Sequence, residues 1–215
     1  VFDQTTKAHE AERGDSGGNQ RDGQALEALR RVGVLDTGTH AAEQQHGNEE
    51  ADTGTGGADQ SLGKGKAEAV FSAGHSGATV ACGMFIMGRL PGVERPALAA
   101  LLPMEKNPVV VLDAGANVDC RPYHLFQFGL MGDAFARDLL GYAAPRVSLL
   151  SIGEEEGKGN SQVKEAYELL KLAQNLNFVG NAEGRDIFTG DIDVVVCDGF
   201  VGNVVVKMSE GLAKA

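Results

Sequence analysis

The 215-residue chain carries 19 Lys and Arg against 30 Asp and Glu, a formal net charge of −11. That balance excludes non-specific nucleic-acid binding, which needs basic side chains to displace phosphate counterions. No run approaches the roughly 18 apolar residues of a membrane span, and the start, VFDQTTKAHEAERGDSGG, lacks the apolar core of a secretory signal.

Residues 1–65 hold eight of Val, Ile, Leu, Met, Phe and Tyr, against 12 Gly and 12 acidic residues. Apart from Ala25–Leu35 (ALEALRRVGVL), nothing there offers an apolar face. Such a stretch buries too little surface to offset its ordering entropy. It reads as a segment that is disordered or not native to the protein, and residues 66–215 read as an α/β domain.

From Lys66 onward, strand and helix signals alternate. Glu68–Ala73 reads as a strand, and Ser76–Leu90 as a buried helix ending before Pro91. Ala97–Leu102 and Val109–Asp113 read as the next strands. Pro122 suits the first turn of a helix, where its missing N–H costs nothing. That helix is predicted to run to about Leu140, with Gly141 as its stop. Val147–Ile152 follows as a strand. Asn160 is predicted to cap a helix in which Val163, Ala166, Tyr167 and Leu170 share one face. Leu176–Val179 and Asp193–Cys197 read as strands, and Asn203 opens a last helix. Unbroken apolar runs suit strands buried on both faces, and their alternation with helices predicts a mainly parallel sheet.

Four of these runs end in Gly-rich turns, which open α/β sheets gather at the carboxyl ends of their strands, where ligands bind. In Ser72–Ala78 (SAGHSGA), Gly74 and Gly77 allow close backbone approach, Ser76 offers a hydroxyl, and His75 offers a proton near neutral pH. A turn chosen only for tight packing is the alternative. Asp113–Cys120 (DAGANVDC) sets Asn117 between Asp113 and Asp119, two carboxylates able to bind a divalent metal, orient a base or simply cap turns. In Gly153–Asn160 (GEEEGKGN) three glutamates repel phosphate, which leaves Lys158, Asn160 and backbone N–H groups as ligands. Glu154 or Glu155 is then expected to pair with Arg121 or Arg146. Asp198–Asn203 (DGFVGN) completes the set. Cys82, Cys120 and Cys197 are odd in number and widely spaced, which fits a reducing cytoplasm rather than a disulfide or zinc framework. Cys120 and Cys197 are either acyl-carrying nucleophiles or small core residues.

With SAGHSGA, RPALAALLP, VVVLDAGANVDCRPYHL, SIGEEEGKGN and CDGFVGNVVVK all in order, residues 66–215 resemble the bacterial phosphate acyltransferases of phospholipid synthesis, the PlsX family. The resemblance implies a three-layer α/β/α fold similar to phosphotransacetylases and to isocitrate and isopropylmalate dehydrogenases. It implies acyl transfer from acyl-[acyl-carrier-protein] to inorganic phosphate, without a cofactor or metal. His75, Ser76 and Asn117 would be catalytic, with Gly74, Gly77, Lys158 and Asn160 around the phosphate. Asp113, Asp119, Asp198 and Asn203 would line the cleft. It also implies a cytoplasmic homodimer, peripheral on the inner face of the cell membrane, whose membrane-contacting segment lies beyond Ala215. The family's opening VDAMGGD-type turn has no counterpart in residues 1–65. The acidic carrier protein calls for basic contacts, with Arg89, Arg95, Lys106, Arg121 and Arg137 as candidates. The rival readings are a metal- and nucleotide-dependent dehydrogenase using Asp113, Asp119 and Asp198, and an inactive, partly folded chain.

Overall fold

The computed structural model describes residues 76–105 and 107–214. The 1–65 segment, the predicted Glu68–Ala73 strand, Gly74, His75 and Lys106 lie outside them. Five strands, β1 (Ala99–Leu102), β2 (Val109–Leu112), β3 (Val147–Leu150), β4 (Phe178–Ala182) and β5 (Val194–Val196), form one sheet in the order β1-β2-β5-β3-β4. β1 is antiparallel to β2 and every other pair is parallel. The helices are α1 (Ser76–Cys82), α2 (Pro122–Asp138), α3 (Ser161–Lys171) and α4 (Gly199–Lys214).

Residues i and i+2 of a strand share a face, so a sheet covered on both sides needs apolar residues at every position. Val110, Leu112, Val147, Leu149, Val194 and Val196 face Leu125 and Phe128 of α2 and Ala166, Tyr167 and Leu170 of α3. Val109, Val111, Val195 and Cys197 face the other way, in a cluster with Ile187, Ile192 and the partly buried Val205 and Val206 of α4. Helices on both faces make the three layers. α2 lies so close to the sheet that a Cβ at Gly132 would stand 2.4 Å from Val194 Cγ1.

Several elements differ from expectation. α1 gives way to a π-helical turn over Gly83–Met87, and none of its residues is buried; Phe85 is 81% exposed. An apolar run specifies a surface to be covered, not the element that covers it. β4 runs from Phe178 to Ala182 instead of starting at Leu176, and its pairing jumps from Val147–Phe178 to Ser148–Gly180. Val179 is the extra residue, and Gly180, at φ +104°, absorbs the bulge. α4 begins at Gly199, ahead of the predicted Asn203, because the Asp198 carboxylate accepts the Val201 N–H at 3.0 Å and caps the helix there.

Candidate active site

β2 carries Asp113 to the carboxyl edge of the sheet, where the residue is wholly buried. Its Oδ1 accepts N–H groups of Leu98 at 3.0 Å, Gly115 at 3.2 Å and Ala116 at 3.0 Å. Its Oδ2 accepts the Asn117 backbone N–H at 2.6 Å and the Asn117 amide at 2.8 Å. Five donors saturate the carboxylate's roughly four lone-pair sites, so Asp113 organises the loop and has none left for a metal ion. The second Asn117 amide proton goes to Pro96 O at 2.7 Å. Both protons are therefore engaged, and Asn117 has none to offer a phosphate; its side chain positions the loop.

The start of α4 is pressed onto this loop. Gly199 N–H donates to Asn117 O at 2.7 Å. A Cβ at Gly199 would lie 2.6 Å from that oxygen, and one at Gly202 only 1.8 Å from Asp113 O. Asn203 is exposed beside Gly115, with its Cβ 3.5 Å from where a Gly115 Cβ would be. Asp198 is engaged as the α4 cap, and Asp119 is exposed at φ +56°.

The two thiols nearby point into the protein. Cys120 Sγ donates to Asn117 O at 3.4 Å and Cys197 Sγ to Asp113 O at 3.7 Å. Burial, with the Asp113 charge adding to it, pushes the Cys120 thiol up to about 11. Burial raises Cys197 as well, with the Asp198 and Asp113 charges adding to it. Both stay protonated at neutral pH, so neither serves as the acyl-carrying nucleophile.

The Gly153–Asn160 turn adjoins the same edge. Gln162 Nε2 donates to Cys120 O and ties the start of α3 to the Asp113 loop. Asn160 Oδ1 accepts the Val163 N–H at 2.9 Å, the cap that the sequence predicts. The glutamates turn to cations other than the expected Arg121 and Arg146. Glu154 meets Arg185 at 3.6 Å and Glu156 meets Lys171 at 2.7 Å, whereas Arg121 pairs with Glu94 and Arg146 with Asp193. Lys158 is exposed and has no ion pair among the described residues. Ser76 and Gly77 open α1, both exposed. The structure thus gathers Asp113, Asn117, Asp198 and Asn203, with Lys158 and Asn160 on the neighbouring turn.

A polar cluster that sequence reasoning missed fastens the segment before β1 to α2. His124 is buried, and its Nδ1 accepts the Arg121 backbone N–H at 3.0 Å, so Nε2 carries the proton and donates to Glu94 at 2.9 Å. Gln127 accepts the Glu94 N–H at 2.9 Å and donates to Gly92 O at 2.6 Å. The available signal was a histidine three residues after a helix-capping position, where a capping box places Glu or Gln.

Burial, reinforced by the Arg95 and Arg121 charges and opposed by Glu94, lowers the His124 pKa below its usual 6.5. As pH falls below about 6.5 the unfolded chain protonates first, so stability declines from there until the folded-state pKa is reached. His124→Gln is expected to flatten that slope. Thermal melts at pH 7.5 and 5.5 measure it, and an equally steep slope in the variant refutes the assignment.

In fold, the molecule is a phosphotransacetylase-like α/β/α protein. It superposes with a TM-score of 0.59 on the EutD phosphotransacetylase from Staphylococcus aureus, at 20% identity, covering 74% of this chain and 56% of that one. A phosphotransacetylase from Streptococcus pyogenes gives 0.58 at 18% identity, covering 92% and 80%.

The chain belongs to the fatty acid synthesis protein family, whose model matches residues 25–215 and so reaches back to Ala25. Among curated relatives, the phosphate acyltransferase of Nitratidesulfovibrio vulgaris is 76% identical over 151 residues, and that of Lawsonia intracellularis 70% over 152. The phosphate acyltransferase of Aquifex aeolicus is 57% identical over 152 residues. These alignments cover 70–71% of this chain, which spans 44–45% of the length of the relatives.

Proposed function

We propose that this chain is part of an enzyme that transfers an acyl group from acyl-[acyl-carrier-protein] to inorganic phosphate, yielding acyl phosphate for phospholipid synthesis. The observation that carries the proposal is the 76% identity over 151 residues to a phosphate acyltransferase. A phosphate oxygen attacks the thioester carbonyl carbon, the C–S bond breaks, and the carrier's pantetheine thiolate leaves and takes up a proton. The protein's main task is to position a modest nucleophile and to stabilise the oxyanion. Gly74, His75, Ser76 and Gly77 surround the phosphate, with Lys158 and Asn203 reaching in from neighbouring turns. Asp113, Asn117, Asp198 and Asn160 hold those turns in place. The donor protein docks on basic side chains of the rim. The enzyme works as a cytoplasmic homodimer on the inner face of the membrane, which no helix of the described residues is long and apolar enough to cross.

The saturated Asp113 weighs against the dehydrogenase reading, whose metal site it would have to serve. The test incubates the 215-residue chain with acyl-[acyl-carrier-protein] and phosphate and traps acyl phosphate with hydroxylamine. Phosphate-dependent hydroxamate is expected, and Ser76→Ala is expected to raise the phosphate KM about ten-fold, the worth of one hydrogen bond to a charged group. Thioester that survives unchanged in phosphate refutes the reading and leaves the inactive chain. Wild-type kinetics in Ser76→Ala remove Ser76 from the site.

A further inference from the structure

The six arginines among the described residues are not equivalent. Arg89 donates to Glu94 O, Arg121 to the Glu94 carboxylate, and Arg137 to Asp133 and Ala143 O. Arg146 holds Asp193 and Gly190 O, and Arg185 lies among Glu154, Glu183 and Asp186. Among the described residues Arg95 alone of the six has neither an ion pair nor a hydrogen bond, although it is partly buried. Glu94, next to it in the chain, is already engaged by Arg121 and His124, and Asp113, which holds Leu98, by five N–H groups.

The backbone on either side of Arg95 is clamped. Glu94 is held through its N–H by Gln127, through its carbonyl by Arg89 and through its carboxylate by Arg121 and His124. Pro96 O accepts from Asn117, and Leu98 exchanges hydrogen bonds with the Asp113 side chain and the Ala114 N–H. Four residues after Arg95 the chain enters β1 at Ala99, antiparallel to β2, so Arg95 stands at the carboxyl edge of the sheet. Its charge acts on both His124 and the Cys120 thiol, which donates to Asn117 O in the same loop.

We propose that Arg95 is the guanidinium that binds the phosphate nucleophile at this edge, an assignment that rests on the acyl-transfer reading above. A partly desolvated cation without a counter-ion is costly, and an anion seated against it removes that cost. The planar guanidinium matches two phosphate oxygens at once, and its clamped backbone holds it in place before the anion arrives. Docking of an acidic protein uses exposed rim charges. A partly buried side chain between two clamps suits a small oxyanion.

The test titrates inorganic phosphate into the 215-residue chain by calorimetry, with Arg95→Gln and Arg95→Lys beside the wild type. Arg95→Gln is expected to weaken phosphate binding ten-fold or more, to about a hundred-fold, at an unchanged melting temperature. Arg95→Lys keeps the charge without the fork and is expected between the two, which a merely structural role would not produce. Equal phosphate affinity in wild type and both variants overturns the assignment and leaves acyl transfer standing. A wild-type chain that binds no phosphate overturns both. A variant with wild-type phosphate affinity but a raised KM for the acyl carrier protein overturns the assignment in favour of docking.

Discussion

Alanine at position 202 is expected to lower the stability of the protein by about 3 kcal/mol or more and to abolish the proposed acyl transfer. The added Cβ would lie 1.8 Å from the carbonyl oxygen of Asp113, 2.9 Å from its carbon and 3.0 Å from Cys197 Sγ. The first two obstacles are backbone, so no rotamer change relieves them. Either α4 lifts off the Asp113 loop, or the loop gives up hydrogen bonds that close it. The same substitution further along the same helix supplies the control. Gly211 has nothing within 4 Å of an added Cβ, so Gly211→Ala is expected to stabilise by up to ~1 kcal/mol through helix propensity. Urea unfolding of the two variants measures both signs. A wild-type midpoint in Gly202→Ala contradicts the close packing described for α4.

Asp113→Asn is the second large effect, with a loss of about 3 kcal/mol expected in the same experiment. The substitution removes the charge from a buried group with five N–H donors around it, and its own NH2 then faces some of those donors. The segment before β1, the Asp113 loop and, through Asn117 and Gly199, the start of α4 all lose their common anchor. Asp119→Asn, on an exposed residue of the same loop, is expected to stay within about 0.5 kcal/mol of wild type, since Asn tolerates its positive φ. Equal effects of the two substitutions refute the role given to Asp113. In the hydroxylamine assay Asp113→Asn is expected to fall with the fold, with kcat and KM changing together.

The two substitutions also separate what the turn motifs say from what they do. DAGANVD reads as a row of ligands, because carboxylates and amides at a strand end are what a ligand site uses. In the molecule those groups face one another. Asp113 gathers donors from Leu98 to Asn117, and Asn117 reaches back to Pro96, so the polar side chains build the edge from behind. Lys158 and Asn203 stay exposed at this edge, and the proposed phosphate ligand Arg95 sits between neighbours along the chain that carry the anchoring.

Sequence alone determined the features that depend on a few consecutive residues. Alternating strands and helices, VVVL and VVVC as strands buried on both faces, the Asn160 cap and the Gly141 stop follow from local periodicity and backbone chemistry. The tertiary structure decided which strands are neighbours: β5 enters the middle of the sheet, and β1 turns antiparallel at its edge. It also decided the fate of each polar group at the carboxyl edge. Asp113 meets Leu98 and Asn117 meets Gly199 across long sequence separations, as Glu94 does His124. Each of these contacts is made by distant segments competing for one buried partner. No local pattern records which donor finds which acceptor, or that Arg95 is the arginine left without a partner among the described residues.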